Sequence, residues 1–372
     1  MVGLLPFPIG NVAMICIGGI LIYLAVKKGY EPLLLVPIGF GCILVNLPYG
    51  GLAEPGGFLK ILYDVGIITE LFPILIFIGI GAMIDFGVLL EKPWVMAFAI
   101  PAQLGILVAL LASLTIGFNP AESISVGIIG AMDGPTAIFV TSAYAPNLLA
   151  SVTVCAYSYM AMIPAIQVPL SKLLISKKER LIRMKYEPGK YPRTLKLLFP
   201  IMVTIIVGVI APLGIPLIGS LMFGNFLRES GVVERLAKSA QNELSNLTTL
   251  LLGITIGGTM IADNFLTLRT LLVFALGLLA FTVGLCGGIL FAKLICHLTK
   301  GKVNPLIGAT GVSAFPMAAR TAHLIARSED QDNWLLMHAM AANTGGQIAS
   351  VIAGAVLLTY GHMLGALPIL GP

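Results

Sequence analysis

Charge is scarce in this sequence. Lys, Arg, Asp and Glu make up 10% of its 372 residues, where a soluble domain carries about 25%. Histidine occurs four times and never as HExxH, so a helical zinc-protease site is excluded. The five cysteines, Cys16, Cys42, Cys155, Cys286 and Cys296, sit in apolar segments at unrelated spacings. That pattern excludes a disulfide framework or a thiolate metal centre. No basic segment precedes the first apolar run, so no cleaved signal peptide is expected. The net charge of +5 is gathered in a few loops, which bears on membrane topology and gives no reason to expect a nucleic-acid partner. Apolar residues fill the remaining space, at 58% of the chain and a mean hydropathy of +0.98. No soluble fold of this length could bury so much apolar surface. The chain is expected to be an all-α, polytopic integral membrane protein.

A spanning helix needs about 20 apolar residues. Spans are predicted over 11–26, 32–47, 71–90, 94–117, 148–175, 195–211, 213–227, 244–261, 270–295 and 334–360. Two further apolar stretches, 123–143 and 303–320, are interrupted by Gly, Pro and polar residues. They are expected to be discontinuous or re-entrant, because irregular backbone at membrane depth survives only against protein or a cavity.

The halves of the chain echo each other. "GAMID" (81–85) matches "GTMIAD" (258–263), and "GPTAIF" (134–139) matches "GVSAFP" (311–316). Met83 to Met260, Gly134 to Gly311 and Thr136 to Ser313 are all separated by 177 positions. The expected organisation is a first membrane repeat over 1–176, a basic cytoplasmic connector over 177–196 ("KKERLIRMKYEPGKYPRTLK") and a second repeat over 197–372. Lys27 and Lys28 put the first loop inside, and the acidic loop 48–70 suits the outside. The counterpart loop 228–243 is charge-balanced, so it supports an inverted arrangement only weakly. Inverted repeats with paired broken segments are the sequence mark of transporters, with substrate bound where the breaks meet.

Ionisable groups within apolar stretches are costly and mark function by default. They are Asp85, Asp133, Asp263 and Arg320. Asp133 sits at a break, in "GAMDGPT". Asp85 and Asp263 are equally compatible with wet span ends. An aspartate with Asn, Ser and Thr oxygens and free carbonyls makes a hard-oxygen site for an alkali cation. Burial would equally suit it to cycle protons. Partner candidates are Asn304, Thr310 and Ser313 in the second broken segment, Asn343 in "HAMAANTGGQ", and Tyr157 and Tyr159 in "AYSYM". Arg320 is a candidate partner for Asp133 or for an anionic substrate, and equally a cation reaching out to the interface.

The segments "GAMDGPTAIFV", "AYSYMAMIPAIQVPLSKLLISKKERLIRM", "GTMIADNFL", "NPLIGATGVSAFPMAAR" and "LLMHAMAANTGGQIAS" together resemble the β subunit of biotin-dependent, sodium-pumping decarboxylases, over nearly the whole chain. Members serve oxaloacetate, methylmalonyl-CoA, glutaconyl-CoA or malonate decarboxylase complexes. The resemblance implies a subunit that decarboxylates carboxybiotin, couples this to Na+ export and consumes an external proton. It implies Na+ and carrier-bound biotin as cofactors. The implied partners are a carboxyltransferase α subunit, a biotin carrier protein, a small single-span membrane subunit and membrane lipid, in a bacterial inner membrane, with a homo-oligomer left open. It implies Asp133, Asn304, Gly308, Ser313 and Asn343 at the sodium site. It implies Asp133, Tyr157 and Tyr159 in proton handling, and Arg320 against carboxybiotin. Many members read GGADGPT and HAMGPN where this chain has "GAMDGPT" and "HAMAAN", so the residue before Asp133 is bulkier here. The chain also lacks a long cytoplasmic insertion found in many oxaloacetate-type members, which favours an acyl-CoA decarboxylase. A stand-alone secondary transporter, a Na+/organic-anion symporter or a Na+/H+ antiporter, is the alternative that the repeat alone would serve. A passive anchor is disfavoured, because it needs neither a buried aspartate nor paired breaks.

Overall fold

The computed structural model describes residues 8–48, 50–185 and 192–366. Part of the expected connector, 186–191, lies outside these residues, as do the two chain ends. Among the described residues the protein is all-helical. Among these residues five helices are long and apolar enough to cross a membrane, or seven when each of two bent pairs counts as one span. It is a multi-pass membrane protein.

The principal helices are α1 (Ile9–Lys28), α2 (Pro32–Val45), α3 (Leu71–Met83), α4 (Leu104–Ile116), α5 (Pro120–Gly127), α6 (Gly134–Tyr144), α7 (Leu149–Ala161), α8 (Ile163–Leu174), α9 (Arg193–Ile210), α10 (Ile215–Ser230), α11 (Ser245–Gly258), α12 (Leu268–Leu298), α13 (Met317–Glu329) and α14 (Leu336–Tyr360). They form two groups. In one, α1 and α11 pack on α2, α10 packs on α3, and α9 packs on α10. Glycines permit the close crossings. A Cβ on Gly81 would lie 1.9 Å from the Leu221 carbonyl oxygen, and one on Gly224 would lie 2.0 Å from that of Ile78. In the other group, α12 gathers α4, α7 and the short 3-10 segment Pro305–Thr310, while α14 packs on α13.

Several predicted spans are shorter or broken. The span over 148–175 bends by 58° between the helical stretches Pro146–Ala161 and Ile163–Leu174. Pro164 follows the bend, and proline cannot donate the backbone bond that would continue the helix. The span over 71–90 ends at Met83, and a separate turn, Gly87–Glu91, follows. Asp85 is therefore outside any span. Its side chain meets Arg228 at 3.2 Å and Lys196 at 3.8 Å. Asp263 lies in the short helix Ala262–Phe265 and is exposed.

Both expected breaks occur. Asn119 and Glu122 close a capping box at the start of α5. A 3-10 turn, Ile128–Ala131, and Met132 at φ 57° then reverse the chain before α6. In the second break, Pro305–Thr310 leads to an irregular tip at 311–316, and α13 leads away. Contacts at the far ends show how the two are oriented. Glu122, at the start of α5, is bonded by Arg269 at the start of α12. Asn304, at the start of the second break, lies just after the other end of α12. An α-helix of 31 residues is about 46 Å long. The two breaks thus enter from opposite ends of the molecule and meet at their tips.

Candidate functional site

Asp133 is the N-cap of α6 and is 2% exposed. A carboxylate is favoured here, because the unpaired N–H groups and dipole of a helix N-terminus attract negative charge. The Thr136 N–H donates to Oδ1 at 3.4 Å. The other oxygen, Oδ2, is far more heavily bonded. It accepts from Ser350 Oγ at 2.7 Å, Gln347 Nε2 at 2.7 Å and Ser313 Oγ at 3.2 Å. Ser350 Oγ also lies 3.0 Å from Ser313 Oγ. Three elements therefore converge on one carboxylate: the first tip, the second tip and α14. All of these side chains are buried.

Further oxygen donors lie on the same elements. Thr136 Oγ1, close to the Asp133 carboxylate, and Asn343 Oδ1 are buried, and among the described residues Asn343 Oδ1 accepts no hydrogen bond. The Asn343 amide donates to the Val312 carbonyl at 2.6 Å, tying α14 to the second tip. Gly346 allows that approach: a Cβ there would lie 2.5 Å from the Val312 oxygen and 2.6 Å from that of Gly311. One carboxylate with several neutral oxygens is a donor set for a hard monovalent cation.

A cavity of about 320 Å³ reaches Asp133 along the seam between the two helix groups. Leu34 of α2, Ile76 and Ile80 of α3, and Ser245 and Thr249 of α11 form one wall. Asp133, Tyr157, Ser313 and Gln347 lie on the other. The Tyr157 ring covers Gly134 so closely that a Cβ there would lie 2.1 Å from its Cζ. A second cavity, of about 220 Å³, opens further along the seam, between Thr255 and Gly258 of α11 and Ala150 and Ser151 of α7. Buried Val154 and Leu252 occupy the intervening turns of these two helices.

The structure does not bring together every residue singled out from sequence. Tyr159 points away from Asp133: its hydroxyl donates to the Phe274 carbonyl at 2.8 Å. The two tyrosines are two residues apart, which on a helix puts them on different faces. Asn304 caps its own 3-10 turn through the Leu306 N–H, and its amide donates to the carbonyls of Arg180 and Ile182 at 3.0 and 2.8 Å. Asn333 donates to the same two carbonyls. This asparagine pair clasps the connector beside the Arg180–Glu329 ion pair, at 2.7 Å. Gly308 packs backbone to backbone on α12, where a Cβ would lie 2.2 Å from the Gly288 oxygen. Thr310 Oγ1 donates to the Ile307 carbonyl. Arg320 is exposed, one turn along α13 from the cavity-lining Pro316, and makes no pair with Asp133. Sequence reasoning missed Gln347 and Ser350. They lie four and seven residues after Asn343, which puts all three on one helix face.

Residues 10–360 match the model of the Na+-transporting oxaloacetate decarboxylase beta subunit family. The chain belongs to the β subunits of sodium-transporting decarboxylases. It is 47% identical to the glutaconyl-CoA decarboxylase subunit beta of Acidaminococcus fermentans, over 96% of this chain and 94% of the relative. It is 45% identical to the methylmalonyl-CoA decarboxylase subunit beta of Veillonella parvula, with the same coverage. It is 39% identical to the oxaloacetate decarboxylase beta chain of Klebsiella pneumoniae, over 96% of each. That last alignment runs over 419 positions, more than the 372 residues here, so that relative carries inserted residues. This β subunit is part of a sodium-translocating decarboxylase, and its family works with carboxyltransferase and biotin carrier subunits.

Proposed function

We propose that this β subunit releases CO2 from carboxybiotin and uses the step to export Na+, with Asp133 as the central sodium ligand. The observation that carries this reading is the convergence of Ser313, Gln347 and Ser350 on a buried carboxylate at a helix break. Sodium, the transported substrate, would bind Asp133 with oxygens of Ser313, Ser350 and Asn343. Asn304 and Gly308, expected as ligands, would instead hold the second hairpin in place.

Loss of CO2 from the carboxylated ureido nitrogen leaves an electron pair on that nitrogen. One proton is then needed to restore the N–H of biotin. Tyr157, against the first tip and in the same cavity as Asp133, is the group we assign to pass it, drawn ultimately from outside. Tyr159 has no comparable access. Arg320, exposed beside the cavity-lining Pro316, would hold the carboxylate of carboxybiotin as it arrives on its carrier. The acid served is a CoA thioester of the glutaconyl or methylmalonyl type. The identities of 47% and 45% to such β subunits, against 39% to an oxaloacetate one, support this.

The chain would sit in a bacterial inner membrane as two inverted repeats, 1–176 and 197–372, joined by a cytoplasmic connector. The opposed entry of the two breaks and the 177-residue offset support that division. A small single-span subunit and further copies of this chain would complete the complex. No observation favours the stand-alone transporter.

The test is decarboxylation of free carboxybiotin by the purified subunit with its partners in detergent. Sodium-stimulated CO2 release that Asp133→Asn abolishes is the expected result. Full activity of that variant would refute the assignment.

A further inference from the structure

The cavity that ends at Asp133 has a second carboxylate in its wall. Glu31 lies between α1 and α2, half-buried, and among the described residues its side chain makes no hydrogen bond or ion pair. Its backbone is in the left-handed region, at φ 35° and ψ 61°. A non-glycine residue held there costs of order 1 kcal/mol, and such strain gathers at functional sites. The carboxylate adds a further cost, because a charge removed from water without a partner is unfavourable. Burial accordingly pushes its pKa above the usual carboxylate range. Neighbouring Lys27 and Lys28 do not relieve it, since neither is paired with it.

The rest of the cavity wall has the same bias. Its side chains include Asp133, Tyr157, Ser245, Thr249, Ser313 and Gln347 among apolar residues, and among the described residues no Lys, Arg or His. Two carboxylates and no base, in a cleft with low-dielectric walls, focus a negative potential that concentrates cations.

We infer that Glu31 is the receiving carboxylate for Na+: the ion meets it at the cavity mouth before passing to Asp133. This rests on the reading of Asp133 as the sodium ligand. A passing cation would supply the counter-charge that Glu31 lacks.

The experiment compares wild type, Glu31→Gln and the double variant Glu31→Gln/Leu33→Glu in the assembled complex. Leu33 lines the same cavity and is 68% exposed, so a glutamate there returns a charge to the mouth. The readouts are the Na+ concentration giving half-maximal CO2 release and the rate at saturating Na+, with choline chloride holding ionic strength constant. Glu31→Gln is expected to raise the half-saturating concentration about fivefold, as a lost charge–charge coupling of ~1 kcal/mol would. The saturating rate is expected to be retained, and the double variant to restore the affinity. An unchanged half-saturating concentration in Glu31→Gln overturns the inference. So does a raised value that the double variant fails to lower, since Glu31 would then act through local structure. If Glu31→Gln does not assemble, Leu33→Glu alone decides: it must lower the half-saturating Na+ concentration. Wild type without any sodium stimulation would sink the parent reading instead, so the two failures are distinguishable.

Discussion

Ser350→Ala probes the hydrogen-bond node with the least disturbance of packing. The hydroxyl donates to Asp133 Oδ2 at 2.7 Å, lies 3.0 Å from Ser313 Oγ and is fully buried. The substitution removes one oxygen and keeps the Cβ. A hydrogen bond to a charged group is worth about 1.5–3 kcal/mol. A loss of ~2 kcal/mol corresponds to roughly a 30-fold change in an equilibrium constant. Ser350 Oγ is also a proposed sodium ligand, an interaction made only when the ion is bound, so a loss of that size is expected to raise the half-saturating Na+ concentration for decarboxylation by about that factor. The control is a double-mutant cycle. In the Asp133→Asn background the charged acceptor is gone, so Ser350→Ala should add little, and the pair should be strongly non-additive. The assay is Na+ binding to the purified subunit, because it reports on variants too slow to turn over. Equal losses in the wild-type and Asp133→Asn backgrounds would mean that Ser350 acts elsewhere, and the proposed node would be wrong.

Two further tests follow. Gly134→Ala would put a Cβ 2.1 Å from Tyr157 Cζ and 2.5 Å from its hydroxyl. The ring must move, at a cost of about 1–3 kcal/mol. Thermal melting should show a lowered Tm, recovered in Gly134→Ala/Tyr157→Ala, while decarboxylation stays impaired in both. The connector clasp gives a pH dependence. Bonds from Arg180 hold the Glu329 carboxyl below its ordinary value of 4.5. A depressed folded-state pKa stabilises above the unfolded value and is lost as pH falls through the folded one. The Tm advantage of wild type over Glu329→Gln should thus be constant near neutrality and shrink below about pH 4.5, which melts from pH 7 to pH 3.5 would check.

The sequence revealed what is expensive. A carboxylate beside Gly-Pro in an apolar stretch has no inexpensive explanation, so Asp133 could be found without a structure. The second tip followed from the 177-residue offset, and Ser313 with it. Gln347 and Ser350 carry no charge and sit in an apolar helix, so only their shared face with Asn343 could have exposed them. Asn304 shows the opposite failure. Its place in the same broken segment as Ser313 made it a candidate partner, but that place does not say which way a turn aims a side chain. Its amide reaches back to Arg180 and Ile182, more than 120 residues earlier, a contact that no local pattern encodes. Asp85 was ambiguous for a similar reason, because its partners Lys196 and Arg228 come from the distant helices α9 and α10.

The asymmetry of the Asp133 carboxylate suggests how the site can bind an ion and let it go. Oδ2 takes short bonds from Ser350 and Gln347 and a longer one from Ser313, whereas Oδ1 takes the Thr136 N–H at 3.4 Å. The donors fix the orientation of the group while leaving one oxygen weakly engaged. A cation at Oδ1 would therefore not have to break the bonds that hold the two tips and α14 together. Had both oxygens been saturated, every sodium ion would have to displace strong charge-assisted bonds, and release would be correspondingly slow. A carboxylate without these donors would leave a buried charge with little compensation. The arrangement lies between these limits: the tips share one negative charge held in place by neutral donors. Any movement that parts the first tip from the second removes Ser313 from that charge, so in the proposed site the affinity for sodium would be tied to how closely the two tips meet.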